Sequence, residues 1–381
     1  MLRDEPKAKV RVGLIGAGFM GKCHANAFRS APGIFDLPVA PVLDLLADVD
    51  EATACRSAAA LGFERSTGDW RTLTGDPSVD IVAITAPNSL HAQMALAAIA
   101  GGKVVYCEKP LSVDAASART MRDAAVAAGA CTMVGFNFLR NPMLKLAREI
   151  VGGGEIGEVV AFRGIHAENY MANPATPHSF RTDPAGGGGA LCDIGSHIIS
   201  IARYLLGPIA AVNGMTTTVY PSRPQAQGSD VLTPVVVDDR AVFLARFESG
   251  VTGTIEADWA ATGRRMQLAF EITGTKGAIA FTQERMNELR LHCLAGAEAR
   301  HGFTRIESGP EHPPYGNFCP AGGHQLGFND LKVIEVAELI DALVNGTSVN
   351  CDFEEAYQVQ RTVDAVKLSA REQSWIDIAS I

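Results

Sequence analysis

No apolar run in this 381-residue chain approaches the roughly 20 residues that span a bilayer. Its first stretch, Met1–Lys9, is charged and lacks the apolar core of a secretion signal. Dense positive charge is missing too: Lys and Arg number 33 against 42 Asp and Glu, a formal net charge of −9. The sequence therefore predicts no nucleic-acid partner and no membrane partner, and it favours a neutral ligand over an anionic one. Clustered cysteines are also lacking. The eight are scattered, with no C-x-x-C and no Cys/His spacing, so no metal site is expected and a reducing cytoplasm is. What remains, 47% hydrophobic residues and 38 glycines, describes a globular α/β protein.

The clearest positive feature is Val10–Ile15 running into Gly16-Ala17-Gly18-Phe19-Met20-Gly21 and then into a helix-like stretch, Lys22–Ser30. A strand that turns through G-x-G-x-x-G into a helix forms a dinucleotide-phosphate cradle. Gly16 serves the tight turn, Gly18 the approach of the pyrophosphate, and Gly21 the close packing of helix on strand. The helix N-terminus offers N–H groups and partial positive charge to the phosphates.

The first third continues in βαβ rhythm. Strands are expected at Val42–Ala47, Ile81–Thr85, Lys103–Cys107 and Cys131–Phe136, with helices at Glu51–Leu61, Ser89–Ala100 and Asp114–Ala128. Beyond Asn137 the pattern changes to a helix, Met143–Val151, and β-rich runs at Val159–His166, Ala241–Glu248, Val251–Asp258, Leu268–Thr273 and Ala278–Thr282. Short turns between successive runs predict antiparallel pairing. The expected fold is α/β: a doubly wound parallel sheet of Rossmann type over 1–136, then an α+β domain with a largely antiparallel open sheet over 137–381. A C-terminal helix at about 354–374 is expected to pack back on the first domain. The second domain is expected to bind substrate and to support a homodimer or homotetramer through its open sheet. Pro221–Pro234 and Gly296–Gly327 read as long loops, functional or disordered.

An acid at the end of the second strand accepts hydrogen bonds from the cofactor ribose. Asp48 is the candidate, with Asp44 as competitor. No arginine follows Asp48, so a 2′-phosphate would be repelled and NAD is favoured over NADP. Alternatively Asp48 caps the next helix, which Asp50 could do equally well.

Glu108-Lys109-Pro110 follows a strand directly and so lies at the carboxyl edge of the sheet, where doubly wound folds bind ligands. An ammonium there can stabilise an alkoxide as a hydride departs. On an ideal helix Asp193, His197, Ser200 and Tyr204 share one polar stripe beside the apolar Ile194, Ile198, Ile201 and Leu205. That arrangement offers a general base with a carboxylate beside it. It equally describes an N-capping Asp with a surface His.

With Ala47-Asp48-Val49-Asp50, Ala86-Pro87-Asn88 and His91, Glu108-Lys109-Pro110, Asp193 and His197 all in order, the chain resembles the Gfo/Idh/MocA family of NAD(P)-dependent sugar and polyol oxidoreductases. The resemblance implies that Lys109 contacts both nicotinamide ribose and substrate, and that Asp193 and His197 are the catalytic acid residue and base. It also implies that Gly16, Gly18, Phe19, Met20, Gly21, Asp48, Pro87, Asn88, His91, Glu108 and Arg181 line the cofactor. Asn137 looks like a substrate-side amide, and Asn169, His178 and His324 are further candidates for gripping sugar hydroxyls. Phe180 stands before Arg181 where the family frequently has Trp. Loops resembling those of members acting on inositols, levoglucosan and glucosides point to oxidation of a ring secondary hydroxyl to a ketone. The alternatives are a glycoside hydrolase that retains its NAD and a non-catalytic NAD-sensing protein.

Overall fold

The computed structural model describes residues 7–295 and 297–381, so most of the charged Met1–Lys9 stretch and Gly296 lie outside the described residues. The chain forms two compact units, one of residues 1–112, 116–140 and 327–357, the other of 113–115, 141–326 and 358–381.

In the first unit, β1 (Lys9–Ile15), β2 (Ala40–Ala47), β3 (Arg65–Thr67), β4 (Ile81–Ile84), β5 (Val104–Cys107) and β6 (Thr132–Val134) form one parallel sheet. Its order is β3-β2-β1-β4-β5-β6. That order reverses beside β1, so the crevice at the carboxyl ends of β1 and β4 is the ligand position of a doubly wound sheet. The central strands are short and apolar, and Ile81–Ile84 and Val104–Cys107 are buried throughout, as strands covered on both faces must be. Between them run α1 (Phe19–Ile34), α2 (Glu51–Leu61), α3 (Trp70–Gly75), α4 (Asn88–Ala100) and α5 (Ala115–Ala128). β3 and α3 escaped the sequence reading because Arg65-Ser66-Thr67 is short and polar and carries no apolar period.

The second unit holds α6 (Pro142–Gly152), β7 (Val159–Ala167), α7 (Ser196–Leu206), β8 (Ile209–Thr217), β9 (Ser222–Pro224), β10 (Leu232–Pro234), β11 (Arg240–Phe247), β12 (Thr252–Asp258), β13 (Gln267–Gly274), β14 (Gly277–Thr282), β15 (Glu288–Cys293), β16 (Thr304–Glu307) and α8 (Tyr315–Phe318). Nine strands form one sheet in the order β16-β15-β14-β13-β7-β12-β11-β8-β17, where β17 is Ile376–Asp377. All its pairs are antiparallel except β7 with β12. β12 and β13 do not pair as neighbours, because β7 lies between them and the connection crosses it. Strict alternation buries Ala241, Phe243, Ala245 and Phe247 on one face of β11, and Ile255 and Ala257 follow on β12. α7 packs on this face, where a side chain at Gly164 would meet Ile198.

The stretch Pro221–Pro234 contains the β9–β10 hairpin. Buried Arg223 pins it by donating to the carbonyls of Met171 (2.8 Å) and Asn173 (3.0 Å). Asp239, which accepts from Trp259 Nε1 at 2.6 Å, lies 3.4 Å from the same guanidinium.

Two further helices follow, α9 (Phe328–Asn345) and α10 (Phe353–Glu372). The chain that returns to the first unit is 327–357, and within that unit α9 lies on α1. α10 begins in the first unit and continues, from Gln358, in the second.

Candidate active site

The glycine loop has the shape a dinucleotide needs. Gly16 sits at φ +91°, in the left-handed region, and its carbonyl accepts the Thr85 hydroxyl at 2.6 Å. A Cβ at Gly21 would lie 2.1 Å from that same carbonyl oxygen, so only glycine lets α1 start so close beneath the turn. At Gly18 an added Cβ would meet nothing within 4 Å. This position faces open space at the start of a helix that no side chain caps, which fits a phosphate. Phe19 is exposed and stacks on Phe328, while Met20 is half-buried.

Three acids near the end of β2 separate cleanly by their partners. Asp44 is fully buried and held by two hydrogen bonds from Arg11 (2.9 and 2.7 Å) and two from Arg65 (2.9 and 2.7 Å). Burial pushes its pKa up, but the two guanidiniums hold it far below the carboxylate range. Asp50 caps α2, accepting from the Thr53 N–H at 2.7 Å. Asp48 does neither. Its Oδ2 accepts the Ala17 N–H at 3.0 Å and its Oδ1 the Val49 N–H at 2.8 Å, which holds the carboxylate beside the glycine loop.

Pro87 and Asn88 open α4 at the carboxyl end of β4, with Pro87 exposed. His91, expected at the cofactor, is buried, with its ring nitrogens 2.9 Å from the Ala86 carbonyl and 3.0 Å from that of Pro110. It clasps the two loop ends together and has no nitrogen left to offer a ligand. Glu108, also expected at the cofactor, turns inward. Its Oε1 lies 2.7 Å from His24 Nε2 and accepts from Lys332 Nζ at 2.6 Å. Burial pushes this carboxyl up, yet the Lys332 ammonium and the His24 bond hold it well below its usual range. An inward carboxylate is the physical outcome of two buried partners, which the sequence pair Glu-Lys does not reveal. Lys109 follows at the strand end, its N–H 3.3 Å from Glu108 Oε2.

Asn137 opens a short 3₁₀ turn, Asn137–Arg140, in the same unit. It is buried, and its Nδ2 has no hydrogen-bond partner among the described residues. A buried amide left so costs on the order of 1–3 kcal/mol, so this donor suits a ligand oxygen.

In the second unit the helix carrying Asp193 and His197 is not uniform. Leu191–Gly195 forms a π turn, and the α-helix begins only at Ser196. The wider turn breaks the spacing of about 100° per residue that put Asp193, His197, Ser200 and Tyr204 on one stripe. His197 and Ser200 are buried, whereas Tyr204 lies under the Arg148 guanidinium. Asp193 does not cap the helix. Its Oδ2 accepts from the Tyr170 hydroxyl at 2.8 Å and from Arg181 Nε at 3.0 Å. Arg181, expected beside the cofactor, therefore has its Nε on Asp193, with its guanidinium over the Phe180 ring. The His197 ring lies 5.5 Å from that of His166, whose own nitrogens lie 2.8 Å from the Ile194 carbonyl and 2.9 Å from Glu168 Oε1. His166 thus ties β7 to the π turn.

The remaining candidates lie on three separate segments of the second unit. Asn169 is half-buried just past β7, His178 is half-buried with its N–H on the Pro224 carbonyl (2.7 Å), and His324 is exposed. Tyr170, His166, Lys332 and Glu335 were missed. For Lys332 and Glu335 a signal existed, two charges three apart on the apolar face of an amphipathic run. Tyr170 carried none.

Residues 10–136 match the oxidoreductase family with NAD-binding Rossmann fold, and residues 144–280 match the GFO/IDH/MocA C-terminal domain. The chain is 38% identical to the levoglucosan dehydrogenase of Pseudarthrobacter phenanthrenivorans, covering 98% of this chain and 99% of the relative. A solved levoglucosan dehydrogenase in complex with NADH and levoglucosan superposes with a TM-score of 0.94 over 97% of this chain and 99% of the other. An NAD-binding oxidoreductase from Klebsiella pneumoniae, 41% identical, superposes at 0.92 over 98% and 99%. The scyllo-inositol 2-dehydrogenase (NAD(+)) of Bacillus subtilis is 30% identical over 71% of the chain and 73% of its own length. A parallel sheet with this glycine loop, joined to this mixed sheet and matched from end to end, is decisive: the chain belongs to the Gfo/Idh/MocA family of NAD-binding oxidoreductases.

Proposed function

We propose that the protein is an NAD-dependent dehydrogenase that oxidises a ring secondary hydroxyl of a neutral cyclic sugar or polyol to a ketone, with levoglucosan or a close anhydrosugar as its substrate. The observation that carries this reading is the end-to-end likeness to levoglucosan dehydrogenase, at 38% identity over 98% of the chain.

Bound NAD supplies the hydride acceptor. The chain supplies the rest. Gly16, Gly18 and Gly21 hold the pyrophosphate at the start of α1, and the Asp48 carboxylate accepts from the ribose hydroxyls and repels a 2′-phosphate. His197 takes the hydroxyl proton as the C–H electron pair leaves the carbon. Lys109 donates to the oxygen on which charge develops. Asp193, held at Oδ2 by Tyr170 and Arg181, orients the substrate and balances the imidazolium. Asn137 offers its buried Nδ2 to a ring hydroxyl. Asn169, His178 and His324 are assigned to the sugar side of the site.

The outer face of the nine-stranded sheet, with half-buried Ile165, Ala269 and Ala280 among Arg163 and Glu271, is assigned to self-association as a dimer or tetramer, which sedimentation measures. The eight unpaired cysteines support a reducing, cytoplasmic setting. The reading is tested by following nicotinamide reduction by the purified protein across anhydrosugars, glucosides and inositols, with NAD and with NADP.

A further inference from the structure

Beneath Lys109 lies a cluster of charges that the proposed chemistry does not use. Lys332 and Glu335 are fully buried on α9, Tyr106 and Glu108 on and just past β5, His24 on α1, and Arg140 in the 3₁₀ turn. Lys332 Nζ is the hub. It lies 2.6 Å from Glu108 Oε1, 2.9 Å from Glu335 Oε2, 3.3 Å from the Tyr106 hydroxyl and 3.4 Å from the Gly135 carbonyl. The Tyr106 hydroxyl donates to Glu335 Oε2 at 2.5 Å. Arg140 lies 3.7 Å from Glu335 and 2.9 Å from Glu338. Cys23, on the α1 side, also faces this ammonium, and buried Cys351 faces Arg140 and Glu335.

Burying an ionised carboxylate with its ammonium does not by itself stabilise a fold. Replacing such pairs by apolar residues is often neutral or favourable. A buried ionic hub directly behind the residue that precedes Lys109 therefore points to a role in placing that residue. Glu108 has two oxygens with different tasks. Oε1 is fixed from within by Lys332 and His24, and Oε2 faces the main-chain N–H of Lys109. With Oε1 fixed, the carboxylate plane is fixed, and with it the start of the Lys109 loop.

We propose that Lys332, supported by Glu335 and Tyr106, is a positioning residue for Lys109: its ammonium anchors the Glu108 carboxylate from inside the fold and so sets the exit of Lys109 from β5. The inference rests on the catalytic role given to Lys109 above.

Two effects follow from removing the anchor. Lys332→Met leaves Glu108 with His24 as its one buried donor among these groups. His24, neutral in the native protein because burial outweighs the Glu108 bond and Lys332 repels its proton, then gains a reason to hold one. Lys109 also loses its fixed exit, so its amine changes in reactivity.

The test uses full-length protein, with Lys332→Met, Glu335→Gln and the charge-neutral pair Lys332→Met/Glu108→Gln. Competitive acylation of surface amines by acetic anhydride, read at Lys109 by peptide mass spectrometry, needs neither substrate nor turnover. The expected result is a change of at least about threefold in Lys109 labelling in Lys332→Met, a smaller one in Glu335→Gln, and no return toward the native rate in the pair, which cancels the unpaired charge yet leaves the exit unanchored. The His24 ring, followed by NMR, is expected to titrate at higher pH in Lys332→Met than in the native protein, because the repelling ammonium is gone. In steady-state kinetics kcat falls about tenfold or more, while the KM for NAD stays within about threefold. Lys109 labelling and His24 titration unchanged in folded Lys332→Met overturn the proposal. If that variant does not fold, native labelling in Glu335→Gln overturns it equally. A native enzyme that oxidises no cyclic polyol, yet whose Lys109 responds as expected, would sink the functional reading and leave the anchor standing.

Discussion

Asp48 accepts the main-chain N–H of Ala17 at 3.0 Å, so the acid that ends β2 is bonded to the glycine loop that ends β1. This bond separates Asp48 from Asp44, whose oxygens are taken by Arg11 and Arg65. The two acids should respond oppositely to substitution. Asp48→Ala weakens NAD binding by about tenfold and narrows the preference over NADP, as loss of ribose hydrogen bonds and of a repelling charge requires. Fluorescence titration with NADH and NADPH reads both effects.

Asp44→Asn leaves cofactor affinity unchanged and lowers stability by ~1–3 kcal/mol, discounted because both arginines are partly exposed. The sign with pH follows from the depressed carboxyl. Its folded pKa lies below the unfolded value, so its stabilisation is present above about pH 4 and fades as pH falls toward the folded value. Denaturant melts of native and variant protein should therefore converge in acid. A constant gap down to the lowest pH at which both fold would contradict the assignment.

The glycine loop offers a second separation, between folding and binding. A Cβ at Gly18 meets no protein atom within 4 Å, so Gly18→Ala keeps its melting temperature without cofactor and loses NADH affinity. At Gly21 the Cβ would lie 2.1 Å from a carbonyl oxygen, so Gly21→Ala lowers both. Calorimetry with and without NADH distinguishes them.

The first unit was largely legible because its signals are local. Apolar strands such as Ile81–Ile84 and a cap such as Asp50 announce themselves over a few residues. For Glu108 and His91 the family resemblance implies cofactor contacts, and no local signal shows which way their side chains turn. Their partners, Lys332 and the carbonyls of Ala86 and Pro110, are set by the fold. The π turn at Leu191–Gly195 was invisible for a related reason: no residue type encodes it, and the periodic reading assumes one helical repeat throughout. Tyr170 reaches Asp193 from 23 residues away, a contact that no spacing rule supplies.

Tyr170→Phe removes one donor from Asp193 and leaves Arg181 in place. It should lower kcat by about tenfold, near the 1.5–3 kcal/mol of a hydrogen bond to a charged group at its lower end. NADH affinity should stay native, because the hydroxyl bonds to Asp193. Steady-state kinetics beside NADH titration makes the comparison.

His197→Ala should lower kcat by about 10²–10⁴ without weakening NADH binding, the range expected for a lost general base. Lys109→Ala should lower kcat as well, with a rise in the KM for sugar. A His197→Ala enzyme of native kcat would remove the imidazole from the chemistry.

The most direct measurement is the absorbance of reduced nicotinamide formed by native protein with levoglucosan or an inositol as sole alcohol. The account predicts steady formation with NAD, much slower formation with NADP, and near-complete loss in His197→Ala. Tight NADH binding with no reduction by any cyclic sugar or polyol, under either cofactor, would contradict it.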